Sequence, residues 1–407
     1  MLIKEGGCIL YKLYCRLYQT VMRLVAYLLP WRTPELIEGT SSFEKLIEVL
    51  GKEMIEKVLI VTDAGLVKRG LLDEMFKNLK EDGMEYTLYD GTIPNPTTDN
   101  IEDAYKMYVD NDCEAIIAFG GGSPMDCAKG VGARVANPNK SIMQMKGVLR
   151  VRNKLPLMIA IPTTAGTGSE ATLAAVISDA KSHIKYQVND PVLIPDYAIL
   201  DQSLTTGLPP QITSTTGIDA LTHAVEAYIG RSNTKSTKRL ARKAVRLVFS
   251  NIYTAYTHGD NKIARLNMLR ASHYAGVAFT RAYVGYVHGI AHALGGEYNL
   301  PHGLAIAIVL PYVLEYYGET VHVQLSELAE AAGIGKGLGT QEKAKAFIAE
   351  VRKLNASMEI PEKVKELKER DIPELRKRIL KESNPFYPVP VILGKKDIDN
   401  ILHSLTA

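Results

Sequence analysis

The sequence of 407 residues is poor in cysteine, carries little net charge and has a single tryptophan. Its four cysteines, Cys8, Cys15, Cys113 and Cys127, form no CxxC pair. This argues against a disulfide framework or a zinc ribbon and favours a reducing, cytoplasmic compartment. A net charge of +3 is too small to indicate nucleic-acid binding, so we expect no nucleic-acid partner. Hydrophobic residues make up 46% and charged residues 23%, which is typical of a soluble enzyme, and the length suggests two domains.

The N-terminus, residues 1–30, is expected to be an extension built around an amphipathic, basic helix at residues 9–29. A polar stripe recurs at helical spacing opposite a leucine-rich face, and consists of Lys12, Arg16, Gln19 and Arg23. Charges inside the apolar stretch argue against a transmembrane span or a signal peptide. We expect the apolar face to pack on the protein's own body or on a partner subunit, in a homo-oligomer that is a dimer or larger. Contact with a membrane surface is the weaker alternative.

Within a predicted domain at residues 31–208, residues 58–201 alternate apolar, strand-like runs with amphipathic helical stretches. The runs are VLIVTD, EYTLYDG, AIIAFGGG, PLMIAIPTT and YAILD. This alternation predicts an α/β domain with a parallel sheet that is covered by helices on both faces. Ligands bind such sheets at the carboxyl ends of the strands. Residues 209–407 are rich in helical patterns and predict a second, all-helical domain.

Two short segments of this helical half carry a candidate metal site. They supply one carboxylate and several imidazoles, from Asp219, His223, His288, His292 and His302. Asp219 and His223 are four positions apart, as are His288 and His292, so each pair shares one face of a helix. This is a ligand set for Fe(II) or Zn(II). Spacing alone does not separate the ligands from a histidine that only lies nearby.

The α/β half contains candidate nucleotide-binding loops. In FGGGSPMD a strand ends in a glycine turn, Ser123 could cap the following helix and Pro124 suits its first turn. Exposed N–H groups at a helix start suit a pyrophosphate, although the motif is not GxGxxG. The loop IPTTAGTGSE adds a cluster of hydroxyls, and Asp63 closes the strand VLIVTD. Asp63 could accept from ribose hydroxyls or simply cap a helix.

The motifs GGGSPMD, IPTTAGTGSE, GIDALTHAVEAY, GYVHGIAHALGG and LPHG together resemble those of the iron-containing (group III) alcohol dehydrogenase family. The resemblance runs from about residue 34 to the end of the chain. It implies a Rossmann-like N-terminal domain and an all-helical C-terminal domain, the dehydroquinate synthase-like architecture, with the site in the cleft between them. It implies reversible hydride transfer between a small alcohol and NAD, with a metal ion, Fe(II) or another divalent cation such as Zn(II), polarising the substrate oxygen.

The resemblance also implies roles for individual residues. The metal ligands would be Asp219, His223, His288 and His302, and His292 would be the catalytic residue near the nicotinamide. The nucleotide-contacting positions would be Asp63, Asn95, Thr97, Gly121, Gly122, Ser123, Thr163, Thr164, Thr167 and Lys185. Asp63 matches a position associated with preference for NAD over NADP. Ala174 departs from the polar residue that some members carry near the substrate, which leaves the identity of the alcohol open.

Two other functions are compatible with parts of this pattern. A metal-dependent lyase of the dehydroquinate-synthase type shares the architecture, but it would favour Lys and Arg around an anionic substrate, and the segments flanking the histidines are apolar. A non-catalytic metal- or nucleotide-binding protein would not need both an intact ligand set and intact nucleotide loops.

Overall fold

The computed structural model describes residues 9–180 and 185–407, and the chain divides into two compact units. One unit is Pro30–Gly207. The other is Leu208–Ala407 together with the described part of Met1–Leu29, which forms helix α1 (Ile9–Tyr27). The N-terminal extension therefore belongs to the same unit as the C-terminal half of the chain.

The unit Pro30–Gly207 is built around a six-stranded sheet with the strand order β1-β9-β6-β4-β2-β3, in which every pairing is parallel. A smaller three-stranded sheet has the order β5-β8-β7. The strands are β1 Glu35–Glu38, β2 Lys57–Val61, β3 Glu85–Tyr89, β4 Ala115–Gly120, β5 Gly147–Val148, β6 Leu157–Pro162, β7 Ala174–Ser178, β8 Lys185–Asn189 and β9 Tyr197–Leu200. The helices are α2 Ser42–Lys52, α3 Ala64–Lys68, α4 Asp73–Glu81, α5 Thr98–Asp110 and α6 Gly122–Ala136.

The large sheet is buried on both faces because successive side chains of a strand point to opposite sides. Ile60 and Ile117 belong to the apolar cluster that includes Leu46 of α2 and Met75 of α4. Their neighbours Leu59 and Ile116 belong to the cluster on the other side, with Ile101 of α5 and Val131 of α6. Helices therefore cover both faces, and the polar loops lie at the carboxyl ends of the central strands.

The helical unit consists of α1 and a set of C-terminal helices. Their starts carry recognisable capping signals, such as Pro210 in the first turn of α7 and the Thr234–Thr237 capping box of α8. The segment His302–Ala332 has the length and apolarity of a membrane span, but 61% of its apolar 18-residue window is buried inside the protein, as in a core helix. The helices are α7 Pro210–Ile229, α8 Lys235–Thr257, α9 Lys262–Ala282, α10 Tyr286–Tyr298, α11 His302–Tyr317, α12 His322–Ala332, α13 Thr340–Ser357, α14 Ile372–Ser383 and α15 Lys395–Leu405.

Helix α1 docks on its own unit through Arg16 and Gln19 of its polar stripe, not through its leucine face. Arg16 donates from Nη1 to the carbonyl of Val389 (2.7 Å) and from Nη2 to that of Pro390 (2.6 Å). Gln19 is buried and donates to the carbonyls of Pro385 (3.1 Å) and Tyr387 (2.7 Å). Of the two expected partners of the apolar face, the protein's own body is therefore wrong, and a partner subunit stays a prediction. The polar face docks because the proline-rich segment 385–390 offers carbonyl acceptors. Long polar side chains can donate hydrogen bonds to these carbonyls, and leucines cannot.

Candidate active site

A carboxylate and two imidazoles converge in the helical unit. Asp219 of α7, His288 of α10 and His302 of α11 each offer one ligand atom, and these atoms all lie within 4.8 Å of one another. Asp219 Oδ1 is 3.7 Å from His288 Nε2 and 3.7 Å from His302 Nε2. These separations are too long for hydrogen bonds. They suit donor atoms that surround one ion at about 2.1 Å each, which places the donors roughly 3–4 Å apart.

His223 lies directly beside this trio. It is one helical turn after Asp219 on α7, and its Nδ1 is 3.8 Å from Asp219 Oδ1. Its ring stacks between Phe279 of α9 (centroids 4.1 Å apart) and His288 (4.6 Å). The i, i+4 spacing therefore brings His223 to the cluster, as the sequence predicts.

The electrostatics of the trio suit a cation. Asp219 Oδ1 and His288 Nε2 are buried, and neither has a hydrogen-bond partner within the part of the chain that the structure describes. An unpartnered buried carboxylate oxygen is costly, and a bound divalent cation would satisfy it together with the imidazole. Burial alone would raise the pKa of Asp219, but His223, His288 and His302 outweigh burial and hold that pKa well below its usual range. Asp219 is thus ionised, as a metal ligand must be.

Glu226 holds His288 in the orientation that this site needs. It is 4% exposed and accepts from the backbone N–H groups of Gly285 (2.9 Å) and Val287 (2.8 Å). Its Oε2 also lies 2.5 Å from His288 Nδ1, which donates to the carboxylate. Nδ1 therefore holds a proton against Glu226, and Nε2 is the nitrogen that faces Asp219 and that a bound cation would take in place of its proton. Burial lowers the pKa of His288, but Glu226 and Asp219 outweigh burial and raise it to about 9.

His292 has a different partner and lies on the open side of the cluster. Its ring stacks on His302 (centroids 5.2 Å apart), and its side chain is 35% exposed. Its Nδ1 is 2.6 Å from Oε1 of Glu382 on α14, which also accepts from the Tyr387 hydroxyl (2.7 Å). Burial and the Glu382 carboxylate raise the pKa of Tyr387 well above its ordinary value, so this hydroxyl stays protonated and donates. His292 thus belongs to a network of hydrogen bonds that Asp219, His288 and His302 do not share.

Gln19 of α1 binds the last residue of this hydrogen-bond network, Tyr387. Gln19 binds the carbonyl of Tyr387, whose hydroxyl binds Glu382, whose carboxylate binds His292. The N-terminal helix is therefore connected to the candidate catalytic histidine through consecutive hydrogen bonds.

In the unit Pro30–Gly207, the glycine turn and the hydroxyl-rich loop lie against each other. A Cβ on Gly121 would be 3.5 Å from Thr164 Oγ1, and one on Gly122 would be 3.1 Å from Thr167 Cγ2. The backbone N–H of Thr163 donates to the carbonyl of Gly120, which joins the ends of β6 and β4 (3.0 Å). Helix α6 begins at Gly122 with Gly121 as N-cap, so it starts earlier than the predicted cap at Ser123. Small residues at this turn leave the helix N-terminus open to an anionic group.

Other predicted nucleotide-contacting residues lie around the same turn. Asn95 adopts a positive φ of 58°, and its N–H donates to the Ser123 hydroxyl (3.2 Å). Thr97 caps α5 and bridges to Ser178, which pairs with Lys185 across β7 and β8. The structure therefore gathers these residues at one edge of the sheet.

Asp63 lies just past the carboxyl end of β2 and is half-buried. Its Oδ1 accepts from the N–H of Leu66 (3.1 Å) and caps α3. The capping alternative is thus confirmed. Capping uses only Oδ1, so the charge of Asp63 stays at the carboxyl end of β2, the edge at which sheets of this type bind ligands.

A buried lysine fixes the hydroxyl-rich loop from beneath. Lys129 of α6 is fully buried, and its ammonium donates to the Ser169 carbonyl (2.7 Å), the Thr172 hydroxyl (2.8 Å) and the Ala174 carbonyl (2.9 Å). Asp126 accepts from the Ser169 hydroxyl (3.1 Å). Burial lowers the pKa of Lys129 to about 8 and raises that of Asp126 to about 6. Lys129 and Asp126 therefore bind the hydroxyl-rich loop to α6, the helix whose N-terminus the loop faces.

Sequence reasoning missed Glu226, Glu382 and Lys129. Glu226 carries a usable signal, because Asp219, His223 and Glu226 follow the i, i+4, i+7 spacing of one helix face. Glu382 has none, since it lies 90 residues from His292 in the chain.

Comparison with known proteins agrees with this geometry. Residues 33–202 match the family described as iron-containing alcohol dehydrogenase, and residues 213–406 match the C-terminal part of the Fe-containing alcohol dehydrogenase family. The 1,3-propanediol dehydrogenase of Klebsiella pneumoniae is 39% identical over 336 residues, which are 81% of this chain and 87% of that protein.

Solved structures show the same relationship. A 1,3-propanediol oxidoreductase is 35% identical with a TM-score of 0.88, over 92% of this chain and 99% of that one. Sulfoacetaldehyde reductase from Bifidobacterium kashiwanohense in complex with NAD+ is 26% identical with a TM-score of 0.84, over 93% and 98% of the two chains. The predicted two-domain fold class is confirmed, and neither the lyase nor the non-catalytic binding protein is favoured. The chain belongs to the iron-containing alcohol dehydrogenase family and is a metal-dependent oxidoreductase that acts on alcohols with Fe(II) and NAD(H).

Proposed function

We propose that this enzyme interconverts a short-chain primary or secondary alcohol, or a diol, with the corresponding aldehyde or ketone. Relatives named for 1,3-propanediol support the substrate class. We assign nucleotide binding to residues 31–208 and metal-dependent chemistry to residues 209–407, with residues 1–30 as an extension. Within the described residues Cys15, Cys113 and Cys127 are buried and form no disulfide, and on this basis we propose a soluble enzyme in a reducing, cytoplasmic compartment.

The metal ligands in this proposal are Asp219, His223, His288 and His302. The observation that carries it is the convergence of Asp219, His288 and His302 around unpartnered buried donor atoms. When bound, Fe(II) supplies the charge that polarises the substrate oxygen, and NAD supplies the hydride acceptor. Since 42% of the His302 side chain is exposed against 3% for Asp219, the substrate would approach from the His302 side.

His292 is the residue that we propose to accept the proton of the alcohol. The Glu382 carboxylate fixes the Nδ1–H tautomer, which leaves Nε2 as an acceptor. Glu382 would then stabilise the imidazolium, and the exposed edge of the ring could pass the proton to solvent. In the reverse direction His292 would return this proton to the oxygen of the forming alcohol.

The nucleotide would bind at the carboxyl ends of β2, β4 and β6. Gly121, Gly122 and Ser123 open the N-terminus of α6 to the pyrophosphate, and Thr164 and Thr167 line the facing loop. The carboxylate of Asp63 would accept from the adenosine ribose and repel a 2′-phosphate. The remaining contacts are proposed at Asn95, Thr97, Thr163 and Lys185.

We also propose that the enzyme is a homo-oligomer, a dimer or larger, as most assemblies of soluble enzymes are. Light scattering of the metal-loaded protein tests this independently of catalysis.

The function is tested with protein purified without air, loaded with Fe(II) and screened for NADH oxidation across short aldehydes, ketones and hydroxyaldehydes. We expect turnover that disappears with a chelator and returns with Fe(II). A His302→Ala variant serves as the metal-free control. An iron-loaded protein that binds NADH but oxidises it with no carbonyl compound in the screen would contradict the proposed substrate class.

A further inference from the structure

Helix α1 presents a leucine-rich face to solvent. The exposed side chains are Leu10 (64%), Leu13 (63%), Leu17 (63%), Val21 (49%), Leu24 (64%) and Leu28 (82%). They recur at helical spacing and form one continuous stripe. Phe386 (51% exposed) contacts Tyr18 of the same helix edge-on. Soluble monomers rarely expose contiguous apolar patches larger than a few hundred Å², and larger ones mark interaction sites.

The helix cannot turn this stripe inward. Its opposite side is already committed, because Cys15 and Gln19 are buried and Arg16 and Gln19 are bound to backbone carbonyls of the segment 385–390. Rotation would break these hydrogen bonds and bury leucines against carbonyl oxygens without partners. The outward leucine face is therefore a fixed feature of the docked helix.

The charge of the extension selects among the possible partners of this face. Residues 6–34 contain no Asp or Glu, whereas Lys12 and Arg23 of the polar stripe are exposed, so the charge that the helix presents to solvent is entirely positive. Two copies of this helix packed face to face would bring these cations together with no acidic side chain of the helix to offset them. A bilayer that contains anionic lipid offers an apolar interior to the leucines and negative head groups to the cations.

We propose that the leucine face of α1 docks the enzyme onto the surface of a bilayer containing anionic lipid. The helix would lie parallel to the surface, because its other side is bonded to the catalytic unit and cannot enter lipid. The match to the family begins at residue 33, so α1 lies outside the matched region. Membrane docking would therefore be a function separate from catalysis.

The test is co-sedimentation of the full-length, Fe(II)-loaded enzyme with large vesicles of phosphatidylcholine, alone or mixed with phosphatidylglycerol. We expect binding to the mixed vesicles that weakens about thirtyfold without the anionic lipid or with the K12Q/R23Q variant, since each of the two cations near the surface contributes about 1 kcal/mol. The L17E/L24E variant should lose vesicle binding while it retains iron and NADH oxidation. The matched control is Ile263→Glu, which places a charge on a 75% exposed apolar residue of the same unit outside α1 and should bind like the unmodified protein.

Two outcomes would overturn the proposal. One is an equal loss of vesicle binding in the Ile263→Glu control, which would indicate non-specific adsorption. The other is an absence of vesicle binding, combined with an assembly that L17E/L24E dissociates in light scattering. In that case the leucine face would pair with a second copy of the chain.

Discussion

Replacing Glu226 by Gln should weaken metal binding although Glu226 is not itself a proposed ligand. The carboxylate accepts from the N–H groups of Gly285 and Val287 and from Nδ1 of His288. A glutamine amide keeps one acceptor oxygen and turns an NH2 group towards one of these donors. At least one buried donor is then unsatisfied, which costs about 1–3 kcal/mol. The His288 ring also loses the carboxylate that fixes its tautomer and increases its basicity.

We expect the affinity for Fe(II) to fall about 10- to 100-fold, the range found when a partner of a metal-bound histidine is removed. Competition with a calibrated chelator measures the dissociation constant directly, so the readout does not depend on turnover. The matched control is Glu315→Gln, because Glu315 pairs with Arg352 (2.8 Å) on the surface of the same unit and should not affect metal binding. If folded Glu226→Gln protein binds iron as tightly as the unmodified enzyme, Glu226 does not position His288.

The other predictions concern the two halves of the site separately. His302→Ala should lose bound iron and activity together, whereas His292→Ala should keep its iron and turn over about 10²- to 10⁴-fold more slowly; elemental analysis showing iron loss in the second variant would refute the separate roles. Asp63→Asn keeps the acceptor that caps α3 but removes the charge, so the ratio of NADP to NAD efficiency should rise by the equivalent of about 1–4 kcal/mol; an unchanged ratio would mean that Asp63 does not face the ribose. Lys129→Met leaves Asp126 and the loop carbonyls without their buried cation and should lower the free energy of unfolding by about 3–5 kcal/mol in denaturant titrations. Adding Asp126→Asn should recover part of this loss, and full additivity of the two changes would rule out their coupling.

The central strands could be predicted because both faces of the sheet are buried. Strands β2, β4 and β6 are therefore continuous apolar runs, and these coincide with the predicted ones. Strand β1 could not be found this way, because ELIE is too short and too polar, and it becomes a strand only by pairing in register with β9. Strands β5, β7 and β8 likewise depend on neighbours that the local sequence does not reveal.

Within the candidate site, helical spacing predicted contacts on one helix but not contacts between helices. Asp219 and His223 come together as their i, i+4 spacing requires. His288 and His292 have the same spacing but different surroundings, since Glu226 binds one and Glu382 the other. The distinction between a proposed ligand and a proposed proton acceptor therefore lies in carboxylates of α7 and α14, which only tertiary packing brings to the two histidines.

The error at α1 has a specific cause, and it bears on how the extension relates to catalysis. An amphipathic pattern shows that a helix has two unlike faces, but it does not show which face meets the protein. Here the carbonyl groups of the segment 385–390 select the polar face, because Arg16 and Gln19 can satisfy several acceptors at once. That selection leaves the leucines outward for another partner. It also joins the extension to Tyr387, Glu382 and His292 by consecutive hydrogen bonds, so a helix that carries no chemistry of its own supports the residue proposed to move the proton.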